Sequence, residues 1–99
     1  MTHEERLAAV RARRAKRESA PGLNRDQRRR LLRRWIKQGR LCAFCDDLAT
    51  TADHIIPLKR GGTNYEGNLA PACLSCNSSR RHLYVMEWRK RSLVELVLF

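Results

Sequence analysis

Four cysteines constrain this chain more than any other feature: Cys42 and Cys45 form one Cys-x-x-Cys pair, Cys73 and Cys76 a second, with residues 46–72 between them. A Cys-x-x-Cys on a tight turn aims both sulfurs at one point, so two pairs supply the four corners of a tetrahedron. That is the geometry of a structural Zn²⁺. A chain of 99 residues buries only about 60–65% of its unfolded surface, so a metal staple has physical use. Two disulfides, or four buried free thiols, are the competing readings. Met1 to Ala20 contains no apolar segment of the kind a secretory signal needs, which argues against an oxidising compartment and for a cytoplasmic setting. No apolar run approaches the length of a membrane span.

Charge is the second constraint. The chain carries 21 Lys and Arg against 10 Asp and Glu, a net charge of +11. Residues 1–39 hold 13 of the basic groups and 4 of the acidic ones, so the excess lies at the N-terminal end. Such a stretch reads as a phosphate-binding surface whose affinity comes from counterion release and falls with salt. A solvated Arg-rich helix without a partner is the plainer alternative.

Along the chain, Thr2 with Glu5 has capping-box spacing and opens a predicted helix through Glu18, whose only large apolar side chains are Leu7 and Val10. Such a helix frays, or orders on a polyanion. Pro21-Gly22 breaks it. Asn24 with Gln27 caps a second helix, roughly Arg25 to Gln38, stopped by Gly39. Here Leu31, Leu32, Trp35 and Ile36 share one side, and Arg30, Arg33 and Arg34 lie across from them, facing outward for nucleic acid. A knuckle at Cys42–Cys45 follows, then a β-prone stretch from Ala49 to Ile56 ended by Pro57. Leu58 to Gly67, with its Gly61-Gly62 turn signal, reads as a surface loop. A short strand over Asn68–Ala72 and a helix over Leu74–His82 complete the pattern. Leu83 to Phe99 reads as helix, in one or two pieces because Ser92 and Glu95 repeat the capping spacing. Its apolar side chains imply core packing, with a partner or dimer contact as the alternative. The organisation expected is a basic arm over 1–20 and one domain over 24–99, with its core motif at 41–82.

Asp53 and His54 are adjacent on the first predicted strand, so their side chains leave on opposite faces unless the strand ends or bulges there. Taken singly, the pair could serve a metal, a base or nothing, and Asn68 and Asn77 could be a turn residue and a helix-start residue. The ordered set is more specific. Ala52-Asp53-His54-Ile55-Ile56-Pro57, Gly61-Gly62, Asn68-Leu69, Cys73-x-x-Cys76-Asn77 and Arg80-Arg81 closely resemble the HNH endonuclease family with an embedded four-cysteine zinc site. The resemblance covers about Leu41 to Arg81.

The resemblance implies an α+β fold, a small zinc-stapled ββα-metal unit with basic helices before it and a helical segment after it. It implies that His54 is the general base, that Asn68 braces the loop behind it, and that Asp53 and Asn77 hold a catalytic divalent ion. Asn77 stands where many members have His, an H-N-N variant, and the hard oxygen donors of Asp and Asn suit Mg²⁺ or Mn²⁺. On a helix running on from Leu74, Asn77, Arg80 and Arg81 share a face, so one or both arginines are expected to clamp a phosphate beside the metal. His3 and His82 read as surface residues. The activity implied is hydrolysis of DNA phosphodiester bonds, by nicking or double-strand cleavage. The alternative is a non-catalytic zinc module that binds nucleic acid. Free-standing family members of this size occur in phage genomes, so a bacterial or phage-infected cell and a packaging terminase partner are expectations of the resemblance alone.

Overall fold

The computed structural model describes residues 1–98, with side chains described through residue 91. The chain forms helices α1 (His3–Ser19) and α2 (Arg25–Lys37), strands β1 (Thr51–His54) and β2 (Leu69–Ala72), then helices α3 (Leu74–Arg80) and α4 (Val85–Leu98). This is the small α+β architecture expected, with a two-stranded antiparallel sheet at its centre.

Helix α1 starts where Thr2 Oγ1 accepts from the Glu5 amide at 3.1 Å. It buries no residue, and both Leu7 and Val10 are exposed. Tertiary contacts meet it near its C-terminal end, where Arg28 of α2 pairs with Glu18 at 2.6 Å. The second helix has the full reciprocal cap: the Gln27 amide donates to Asn24 Oδ1 at 2.9 Å, and the Asn24 amide donates to Gln27 Oε1 at 2.8 Å. Its Leu31 and Trp35 bury against Leu69 of β2, and Leu32 packs at the edge of that cluster. Ile36, expected on the same side, is instead half exposed. At 3.6 residues per turn it lies about 140° round the helix from Leu31, farther than one small sheet can cover.

The strands pair Thr51 with Ala72, Ala52 with Pro71, Asp53 with Ala70, and His54 with Leu69. Because side chains alternate along a strand, Thr51 and Asp53 share one face with Ala72, and Ala52 and His54 share the other with Leu69. Helix α3 covers the first face, α2 the second. The first strand is shorter than expected, and the cause is local. The Ile55 amide still reaches the Asn68 carbonyl at 2.8 Å, but the Asn68 amide turns away to the Tyr65 carbonyl at 2.9 Å, so the ladder stops.

Helix α3 also ends early, at Arg80 rather than His82. Arg81 turns the chain with φ 51° and ψ −121°, a conformation usually left to glycine. The last helix is continuous, not two pieces. Trp88 fixes it by meeting Phe44 edge-on, centroids 5.8 Å apart, and by donating from Nε1 to Ser79 Oγ at 2.8 Å. The apolar side chains from Leu93 to Phe99, expected in the core or at a contact, lie outside the described residues. Among the described residues no helix is long and apolar enough to cross a membrane.

Candidate functional site

The two cysteine pairs meet. The four Sγ atoms all lie within 4.8 Å of one another, and Cys45 Sγ stands 3.5 Å from Cys73 Sγ. A disulfide would need about 2.05 Å; four sulfurs at the usual bond length around zinc stand roughly 3.8 Å apart. Each pair also receives a backbone amide on sulfur: Phe44 N donates to Cys42 Sγ and Cys76 N to Cys73 Sγ, both at 3.4 Å. Burial alone would push the Cys42 thiol up, yet hydrogen bonds from the Cys73 and Phe44 backbones, with those from Cys45, bring it down to about 7. Burial and the neighbouring thiols push Cys76 well up. A divalent cation removes the conflict among four crowded sulfurs, and the donor set and spacing fit a tetrahedral zinc site. The cluster packs on Ala72, Phe44 and Trp88, so it joins the knuckle, β2, α3 and α4.

A cleft of about 900 Å³ opens beside this frame. Asp53, His54, Asn77, Arg81 and His82 line it, together with Arg14 and Arg17 of α1 and Arg25, Arg28 and Arg29 of α2. Asp53 and His54 do point to opposite faces of β1, as alternation requires. Asp53 turns to α3, where Oδ2 accepts from Arg80 Nε at 2.9 Å and pairs with Nη2 at 2.7 Å. His54 turns the other way, with Nε2 2.7 Å from Asn64 Oδ1. Asn77 donates from Nδ2 to Thr51 Oγ1 at 3.2 Å, which orients its amide across the first face.

Asn68 ties down the segment after β1. Its Oδ1 accepts from the Ile56 amide, and its Nδ2 donates to the Ile56 carbonyl at 3.1 Å and to the Thr63 carbonyl at 2.8 Å. Gly62 lets this loop fold tightly, because a Cβ there would overlap the Ile56 carbonyl.

Arg80 corrects the sequence reading. It is 1% exposed and does not reach the cleft. Beyond Asp53 it donates to the Leu83 carbonyl at 2.7 Å, the Ile55 carbonyl at 3.3 Å and the His54 carbonyl. Its guanidinium therefore has no face for a phosphate. The helix ends at Arg80, so Arg81 leaves in a different direction and alone of the two lines the cleft. Arg30, Arg33 and Arg34 are exposed but lie outside the cleft wall, and Arg34 pairs with Glu66 at 3.4 Å. The wall uses the next stripe of α2, Arg25, Arg28 and Arg29, together with the end of α1.

His82, read from sequence as a surface residue, is exposed yet shares the cleft with His54. Asn64 was not singled out by sequence. Its signal is weak: an Asn in a Gly-rich loop is an ordinary turn residue.

Residues 41–82 match the model of the HNH endonuclease family. The matched segment holds both cysteine pairs, both strands and α3, so the zinc-type cluster and the ββα unit together form an HNH domain. The matched segment is thus a nuclease-type domain within a longer chain. No curated protein matches the chain.

Proposed function

We propose that the protein is a metal-dependent endonuclease that hydrolyses DNA phosphodiester bonds, with His54 as general base. The observation that supports this most is the cleft itself: an imidazole, a carboxylate and a carboxamide of an HNH domain line it together with several arginines. In its neutral form the His54 imidazole takes the proton of the attacking water. Asn68 braces the loop behind it. Asp53 and Asn77 offer the hard oxygen atoms that Mg²⁺ or Mn²⁺ prefers, with Asp53 Oδ1 as the donor because Arg80 holds Oδ2. When bound there, the ion supplies Lewis-acid stabilisation of the charge that grows on the phosphate. Arg81, with Arg14, Arg17, Arg25 and Arg29 of the same cleft, holds the phosphate backbone and screens its charge.

One observation favours a second reading, a non-catalytic module that binds nucleic acid. The Asp53 carboxylate is buried against a guanidinium, and that fixed cation opposes a divalent ion at the same group. Incubation of zinc-loaded protein with supercoiled plasmid and Mg²⁺ or Mn²⁺ separates the two. The nuclease reading expects nicked or linear DNA bearing 5′-phosphates, lost when the second metal is withheld. Intact plasmid at saturating protein, with salt-sensitive binding retained, leaves the binding module.

A further inference from the structure

Asn64 is the one polar residue of the β1–β2 loop that the fold buries completely, at 0% exposure. Its backbone and side chain are both engaged. The backbone amide donates to the Pro21 carbonyl at 2.7 Å, and its carbonyl accepts from the Leu23 amide at 2.9 Å. Nδ2 donates to the Arg17 carbonyl at 2.7 Å and reaches the Ala20 carbonyl at 3.4 Å. Oδ1 faces His54 Nε2 at 2.7 Å. One end of this side chain thus grips the junction between α1 and α2, and the other grips the proposed base.

The chemistry of the amide fixes which end is which. Reversing it would set Oδ1 against two carbonyl oxygens, none of which can donate. With Nδ2 held by those carbonyls, Oδ1 must face the ring. A carboxamide oxygen only accepts, so in the neutral imidazole Nε2 carries the hydrogen and Nδ1 keeps the lone pair. Gly22 makes the grip possible. Its φ is +124°, and a Cβ there would overlap the Asn64 backbone carbon and the Tyr65 amide.

We propose that Asn64 is the positioning residue of His54, and that the Pro21–Leu23 linker, outside the segment matched to the HNH family, is a working part of the same site. The inference rests on His54 serving as base. The clamp stops the ring from flipping and keeps one nitrogen unprotonated towards the cleft. It also makes the orientation of that ring depend on α1 and α2 being docked, so the helices that carry the cationic wall and the group that takes the proton are set by one joint.

The test is a histidine ¹⁵N spectrum of the full-length, zinc-loaded protein, taken where His54 is neutral, with steady-state cleavage kinetics beside it. The wild type is expected to show the Nε2–H tautomer at His54. Gly22→Ala, which touches neither the ring nor the cysteines, should give a tautomer mixture and a fall in kcat of about 10²-fold with KM nearly unchanged. Asn64→Ala should do the same, with far-ultraviolet circular dichroism confirming that each variant is folded. An Nδ1–H tautomer in the wild type overturns the proposal. So does a folded Gly22→Ala protein with wild-type ring signals and wild-type kcat. Should the wild type cleave no DNA, the nuclease reading fails, while the tautomer still reports on the clamp.

Discussion

Asp53 and Arg80 form a buried ion pair, Oδ2 to Nη2 2.7 Å, that joins β1 to the last residue of α3. The guanidinium is also the shared donor for three backbone carbonyls, those of His54, Ile55 and Leu83. It therefore ties the end of β1 and the chain after α3 together. Removing it leaves a carboxylate and several carbonyls buried without a partner. Arg80→Ala is expected to cost about 3–5 kcal/mol of stability, read by denaturant unfolding of the zinc-loaded protein. A loss under about 1 kcal/mol, the range of exposed pairs, contradicts this role.

Arg81 should behave in the opposite way. It lines the cleft and stands at φ 51°, ψ −121°, a backbone state that costs a non-glycine residue about 1–3 kcal/mol. Arg81→Gly is expected to stabilise the domain by about 1 kcal/mol in the same unfolding assay and to weaken DNA binding. Weakened folding together with unchanged affinity would refute both parts.

The cysteine cluster stands between the knuckle, β2, α3 and α4, and among the described residues there is little other apolar core with which to replace it. Cys73→Ser, or prolonged treatment with a strong zinc chelator, should abolish cooperative thermal unfolding as seen by circular dichroism. A sharp transition that survives complete metal removal would show that the cluster is not a staple.

The cleft wall is cationic at Arg14 and Arg17, and these are not the arginines that helix periodicity in α2 marked as outward. Replacing both with Ala should remove two phosphate contacts. The slope of log K against log[salt] then falls by about 1.8, measured by fluorescence anisotropy on a duplex. Replacing Arg30 and Arg33, which lie outside the wall, should change the slope less.

Much of this arrangement was legible in the sequence because it is local. The caps at Thr2 and Asn24, the turn residues around Gly61 and Gly62, and the two Cys-x-x-Cys pairs each act over a few residues, and each element appears where they put it. Alternation along β1 correctly sent Asp53 and His54 to opposite faces. What sequence missed depends on contacts across the chain. Helical spacing grouped Arg80 with Arg81, but whether the helix ends between them is decided by the buried carboxylate of Asp53, 27 residues earlier. Ile36 follows the period of α2, yet the two-stranded sheet is too narrow to cover it. Asn64 carries only the weak local mark of a turn residue. Its importance comes from a linker more than 40 residues away in the chain, against which it is folded.

The central claim is that His54 takes a proton from water in this cleft, and a single-turnover cleavage rate tests it most directly. End-labelled duplex DNA would be held by excess zinc-loaded protein with Mg²⁺ or Mn²⁺, with wild type and His54→Ala compared at equal bound fraction. Loss of a general base is predicted to slow cleavage by about 10²- to 10⁴-fold while the Kd for DNA stays within twofold. Equal rates for the two proteins would contradict the account.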